Sequence, residues 1–137
     1  MATPFPLEIL TPEYSFFRGQ AEGVIVMSPD GELCVLAGHV PLVTPLEIGS
    51  IRIHADGQWK EAFISNGFME VGGGGAVIVA QACEWPENID VSRAKAKMEE
   101  TQARLRQETS IREHRVTQLA MTRAMARLRV TARGGQG

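Results

Sequence analysis

His39, His54 and His114 are dispersed along the chain with no neighbouring nucleophile or metal-ligand set, so they form no catalytic constellation. They read as a bend residue, a strand-face residue and a solvated helix residue. Cys34 and Cys83 lack metal-ligand spacing and each stands in an apolar, strand-like setting, so both are expected as buried thiols rather than as a disulfide or zinc site. The run Gly72 to Gly75 has the composition of a phosphate loop but not its context. A phosphate cradle needs a strand before it, a helix after it, and Lys with Ser or Thr; here a strand follows and no Lys is present, which predicts a flexible hairpin loop. The remaining charge chemistry lies in the last third, where Arg112, Arg115, Arg123, Arg127, Arg129 and Arg133 make a basic face on a helical pattern.

That face belongs to an uneven distribution. The net charge of -2 over 137 residues conceals an acidic part up to Pro86, with three basic residues against ten acids, and a basic part from Glu87, with eleven against six. A basic helical segment on an acidic domain can meet nucleic acid, an anionic membrane or an acidic protein. It has no aromatic residue to stack on bases, and its apolar stripe is alanine-rich and shallow, so nucleic acid and membrane are set aside and an acidic protein surface is favoured. At 44% hydrophobic and 22% charged the chain can bury one modest core. No run approaches the roughly 20 apolar residues of a spanning helix, and the N-terminus lacks a basic region followed by an apolar one, which predicts a cytoplasmic protein.

The elements that position these residues meet at Glu84 to Ala94, where the hydrophobic period changes from two to about three and a half. Pro86 cannot continue a ladder, and Asn88 or Asp90 can cap a following helix. Upstream, short strands are punctuated by turn residues: Leu7 to Leu10, Tyr14 to Arg18 ending at Gly19, Ala21 to Ser28, and two pieces around the Ala37-Gly38-His39 bend. Asp56-Gly57 is a hairpin signal, Asn66-Gly67 repeats it, and Phe68 to Val71 and Ala76 to Ala80 flank the glycines. The pattern predicts an α+β chain in two parts: a β-sandwich or flattened barrel over 1–86 and an antiparallel α-helical hairpin over 87–137. Val91, Ala94, Met98, Thr101 and Leu105 align one stripe; Val116, Ala120, Ala124 and Leu128, widened by Leu119, Met121 and Met125, align the other. The connection Glu108 to Arg112 holds neither Gly nor Pro, and Gly134 onward is expected to fray.

Five segments in order carry a resemblance that covers nearly the whole chain. Gly31-Glu32-Leu33-Cys34-Val35-Leu36-Ala37-Gly38-His39-Val40-Pro41-Leu42-Val43 resembles the Gly-Glu-Leu-Gly-Ile-Leu-Pro-Gly-His-Ala-Pro-Leu-Leu signature of the epsilon subunits of rotary F-type ATP synthases, called delta in mitochondria, departing at Cys34, Ala37 and Val40. The likeness runs on through Gly49 to Ile53, Asn66 to Val71, Ile89 to Ala94 and Arg123 to Val130. It implies a central-stalk subunit without a catalytic site of its own, in an assembly whose proton-driven rotation makes ATP. Its partners would be the gamma subunit and the membrane c-ring for the sandwich, with Glu32, Gly38 and His39 at the rotor contact. The beta subunit of the catalytic head would meet Arg115, Arg123 and Arg127 of the helical arm, blocking ATP hydrolysis. The implied place is the cytoplasmic face of the bacterial inner membrane, peripheral and held there through the complex.

The resemblance also implies a regulatory ATP site, with no cofactor required otherwise. Matched position by position, its residues are Glu84, Ile89, Asp90, Arg93, Ala94, Arg123 and Arg127. Guanidinium groups suit phosphates and carboxylates suit a base amino group or ribose. The tightest binders carry a further Arg where this chain has Glu100, which repels phosphate. Against the site stands a structural alternative: Asp90 caps the helix and Arg93 pairs with an acid one turn away. A free-standing ATP-sensing module of similar fold is the competing function.

Overall fold

In β1 (Phe5–Leu10) the buried residues Phe5, Leu7 and Ile9 alternate with more accessible ones, the period of a strand with one face on a core. β2 (Ser15–Ala21), β3 (Gly23–Ser28), β4 (Gly31–Val35), β5 (Leu42–Leu46), β6 (Gly49–Ala55), β7 (Gln58–Ile64), β8 (Gly67–Gly72) and β9 (Gly75–Ala80) follow, with a short β10 (Cys83–Glu84); β8 alternates in the same way, whereas β7 ends in three consecutive buried residues, Ala62 to Ile64. The computed structural model describes residues 3–107 and 110–134. Its strands make two five-stranded sheets, ordered β2-β1-β9-β8-β5 and β10-β7-β6-β3-β4. The pairings are antiparallel except β1 with β9. The inward residues of both sheets form one core, including Leu7, Ile9, Val24, Ile51, Met69 and Ile78. Each such side chain contributes about 1.5 to 3 kcal/mol through burial.

The turns explain the strand order. Asp56 and Gly57 both take positive φ, 54° and 74°, and join β6 to β7 with Ala55 opposite Gln58. Gly73 and Gly74, at 59° and 84°, do the same for β8 and β9. The glycine run is therefore a tight two-residue turn whose outer pair, Gly72 and Gly75, belongs to the ladder, and not a flexible loop. Asn66-Gly67 makes no hairpin, since β7 and β8 lie in different sheets and the chain crosses there from one to the other. Gly67 is required by close approach: a Cβ would fall on the Val79 carbonyl and within 2.7 Å of the Ala80 Cα. Gly19 does not end β2, which continues to Ala21 in register with β1. Cys83 is buried as expected, but Cys34 is exposed because it faces away from the core between Leu33 and Val35.

The chain divides into two compact units, Met1–Trp85 and Pro86–Gly137. The second starts with a 3-10 turn, Pro86–Asn88, followed by α1 (Val91–Leu105) and α2 (Ile111–Gly134). Asp90 caps α1 as the sequence suggests. Ser110 opens α2 by accepting from the Glu113 amide at 3.0 Å, while Glu108 and Thr109 of the expected connection lie outside the described residues. The two helices pack as a hairpin. On α1 the seam follows the expected stripe, with Ala94 and Thr101 buried and Val91, Met98 and Leu105 partly so. On α2 the stripe is shifted by one residue at its start: Val116 is 62% exposed and Thr117 is buried in its place. Thr117 and Ala124 are spaced by seven residues, matching Ala94 and Thr101 on α1, so four small side chains line the seam.

Candidate functional site

The rotor-contact candidates are set by β4 and the bend after it. Glu32 lies near the start of β4, where its carboxylate pairs with Arg52 of β6 across the intervening β3. Gly38 lies beyond the other end of the strand with φ of 79°, a conformation suited to glycine, and open space where a Cβ would stand. His39 completes the bend: its amide donates to the Leu36 carbonyl at 3.2 Å, and its Nδ1–H donates to the Val40 carbonyl at 2.7 Å. Gly38 and His39 are thus brought together, while Glu32 stands at the opposite end of β4. Sequence order alone did not reveal that separation. The bend and the Gly72–Gly75 turn line one cavity of about 190 Å³.

Around the bend the apolar residues point outward. Leu36 and Val40 are exposed on it, and Val43, Phe68 and Val77 are exposed on the outward face of the first sheet. The register Val43 to Glu70 to Val77 and the neighbouring pair Pro45 to Phe68 put these residues on adjacent strands. The candidate set drawn from the motif does not include them. Their sequence signal is strands whose outward positions are valine or phenylalanine where polar residues would be ordinary.

The nucleotide candidates divide between the units. Glu84 belongs to β10 of the first; Ile89, Asp90, Arg93, Ala94, Arg123 and Arg127 belong to the second. Asp90 Oδ1 accepts from the Arg93 backbone amide at 3.0 Å, satisfying an orphan donor of the first helical turn. Ile89 and Ala94 are buried, so they contribute packing rather than polar contacts. The Arg93 side chain is exposed and forms no ion pair among the described residues. Its expected pairing with an acid one turn away is not formed among the described residues, and only its backbone amide is engaged, by Asp90. Glu100 stands between Lys97 at 3.9 Å and Arg104 at 3.8 Å.

The arginines do not form one uniform solvated face. Arg123 and Arg127, one turn apart on α2, are partly buried, whereas Arg112, Arg115, Arg129 and Arg133 are exposed. Ala126 and Val130 are buried on the side of α2 opposite Ala124, and the spread of arginines straddles them. His54 packs against Trp59 with ring centroids 4.7 Å apart and approaches Glu22 at 3.4 Å. Among the described residues no three His, Cys, Asp or Glu gather as metal ligands, and no helix is long and apolar enough to cross a membrane.

Two units of this kind, a sandwich followed by a helical pair, match two family descriptions end to end. Residues 4–86 match the ATP synthase delta/epsilon chain β-sandwich domain, and residues 87–132 match its long α-helix domain. The chain belongs to the delta/epsilon chain family of ATP synthases, and is a non-catalytic subunit rather than an enzyme in itself. It is 44% identical over 134 residues to the ATP synthase epsilon chain of Caldanaerobacter subterraneus subsp. tengcongensis, covering 97% of each. It is 45% identical over 133 residues to that of Ruminiclostridium cellulolyticum, covering 97% of this chain and 98% of that one. Its fold is similar to a chain of the Euglena gracilis mitochondrial ATP synthase OSCP/F1/c-ring structure, with a TM-score of 0.80 at 19% identity over 100% of this chain and 84% of that one. A chain of the Tetrahymena thermophila central stalk/c-ring structure gives 0.62 at 10% identity, over 95% and 98%.

Proposed function

We propose that this chain is the rotor subunit of the central stalk in a proton-driven F-type ATP synthase, with its sandwich docked on the gamma subunit and the c-ring. The observation that carries this reading is the apolar set Val43, Phe68 and Val77, exposed on the outward face of the first sheet, with Val40 exposed on the bend. Several large apolar residues exposed on one sheet face, here with Glu70 among them, mark a protein contact when they persist in a folded chain. The named relatives are epsilon chains, and the similar folds were solved in complexes that include a c-ring. Docking of this kind puts the chain at the cytoplasmic face of the inner membrane, peripheral and held through its partners.

The helical pair serves as a regulatory arm that meets the beta subunit and restrains ATP hydrolysis. Support comes from a seam of small residues, Ala94, Thr101, Thr117 and Ala124, which forms fewer dispersion contacts than a leucine seam and separates at lower cost. Exposed Arg115 and partly buried Arg123 and Arg127 supply the charge for an acidic surface. A regulatory ATP site is the second reading, favoured by the spacing of Arg123 and Arg127 on one side of α2 and opposed by the use of Asp90 as a cap. Co-purification from solubilised membranes tests the main reading. A rotor subunit travels with the large synthase subunits, and a free-standing ATP-sensing module appears in the soluble fraction without them.

A further inference from the structure

At one end of the sandwich the two sheets part around an unfilled space. On the second sheet, β6 turns Ile53 and Ala55 inward, and the register Ile53 to Lys60 and Ala55 to Gln58 puts Gln58 and Lys60 on that same inward face. Further along β7 this face carries Ala62 and Ile64, both buried, so a lysine and a glutamine stand where a closed core would continue with apolar residues. Phe17 approaches from the first sheet, in register with the fully buried Ile9. Trp85 closes the side and is held by Phe16, with ring centroids 4.6 Å apart. The space these residues line, open to solvent on the side of Gln58 and Lys60, is about 250 Å³. Phe17, Ala55 and Trp85 all pack against the core, so its walls are formed by folding itself.

The lining has a definite chemistry. Its floor is aromatic and aliphatic, and at its mouth the Lys60 side chain forms no hydrogen bond or ion pair among the described residues. A lysine that forms no ion pair, at the edge of a cavity with an aromatic and aliphatic floor, complements an anion with an apolar body. Asp56 on the adjoining turn disfavours a second negative group, which selects a monoanion. An apolar cavity of about 150 Å³ accommodates benzene, so this space takes one ring and a short tether. We propose that it binds small aromatic monocarboxylates, the ring lying against Phe17 and Trp85 and the carboxylate meeting Lys60 and the side-chain amide of Gln58. An inward lysine also discourages edge pairing along β7, where β10 covers only Phe63 and Ile64. That role requires the charge alone and leaves the aromatic-lined cavity unexplained.

The test is a titration of the full-length, nitrogen-labelled chain with 3-phenylpropionate, with 3-phenylpropanol as the neutral comparator, followed by NMR. The expected result is a saturable shift of the Trp85 indole and of the Phe17 and Ala55 amides, with a Kd on the order of a millimolar or tighter. The Trp59 indole, stacked on His54 away from the cavity, stays in place. Lys60→Gln should weaken the acid about threefold, in the range of one exposed ion pair, and leave the alcohol unchanged. The proposal is overturned by the absence of saturable shifts up to about 20 mM, an order of magnitude above a millimolar Kd. Equal affinity for acid and alcohol, or an acid affinity unchanged by Lys60→Gln, overturns it as well.

Discussion

The two cysteines share an element type and differ in environment. Cys34 is open to solvent, while Cys83 is fully buried, with its thiol pushed up to about 12 by burial and then by the Glu84 carboxylate. In native protein at mildly alkaline pH, a disulfide reagent should titrate one thiol per chain, and two after unfolding. Ionisation of the Cys83 thiol is disfavoured only when the chain is folded, so its contribution is complete below the ordinary thiol range near 9.0 and disappears as pH rises through about 12. Unfolding free energy should fall across that window by on the order of 4 kcal/mol. Tyr14, raised chiefly by burial, adds to the fall. Cys83→Ala should flatten the slope even where it lowers stability outright, and an unchanged slope would refute the assignment. Gly67 is equally specific: Gly67→Ala forces backbone apart and should cost more than 2 kcal/mol by order of magnitude, whereas Gly74→Asn in the hairpin turn should change stability by less than about 1 kcal/mol in denaturant melts. Gly67 was legible in sequence as a turn residue, but not as a site of close approach, because only the crossing between sheets brings Val79 and Ala80 against it.

At the scale of elements, the period change at Glu84 to Ala94 identified the joint and the cap of α1 because both depend on local residue types. The glycine turn and the seam of α2 were less legible for different reasons. Four consecutive glycines do not disclose which two turn and which two pair, a choice made by the β8–β9 register. On α2, Val116 and Thr117 differ by 100° around the helix, and packing selects the threonine face despite its lower hydrophobicity. A small hydroxyl is tolerated in the seam when it is satisfied within its own helix, as Thr101 is by the Lys97 and Met98 carbonyls at 2.8 and 2.9 Å. Asp90 allows the cap to be separated from any nucleotide role. Asp90→Ala should cost the helical unit about 1 kcal/mol in thermal unfolding, and Asp90→Asn should restore most of it, since an amide oxygen also accepts from Arg93. If ATP binding is lost in both while stability is lost in one, the carboxylate has a role beyond the cap.

For the molecule as a whole, the buried core of the sandwich is drawn entirely from residues up to Cys83, with Trp85 packed at its margin. A chain of residues 1–86 should therefore fold alone and melt cooperatively, and loss of a cooperative transition would show that the helices complete the core. That independence permits a clean test of the proposed arm. Exposed ion pairs are worth only about 0.2 to 1 kcal/mol each, so a hold on an acidic surface needs several arginines together and weakens with salt. Arg115 is exposed and accepts charge reversal, but Arg123 and Arg127 are partly buried, where a carboxylate would add a desolvation cost to the loss of charge. Arg115→Glu combined with Arg123→Gln and Arg127→Gln should raise ATP hydrolysis by the assembled enzyme severalfold at low salt and leave assembly intact, because the proposed docking surface lies on the sandwich. Wild type should approach the variant as salt increases. If the two hydrolyse ATP equally at low and moderate salt, while Asp90→Ala alters the response to ATP, the helices act through a nucleotide and not through a basic contact with the head.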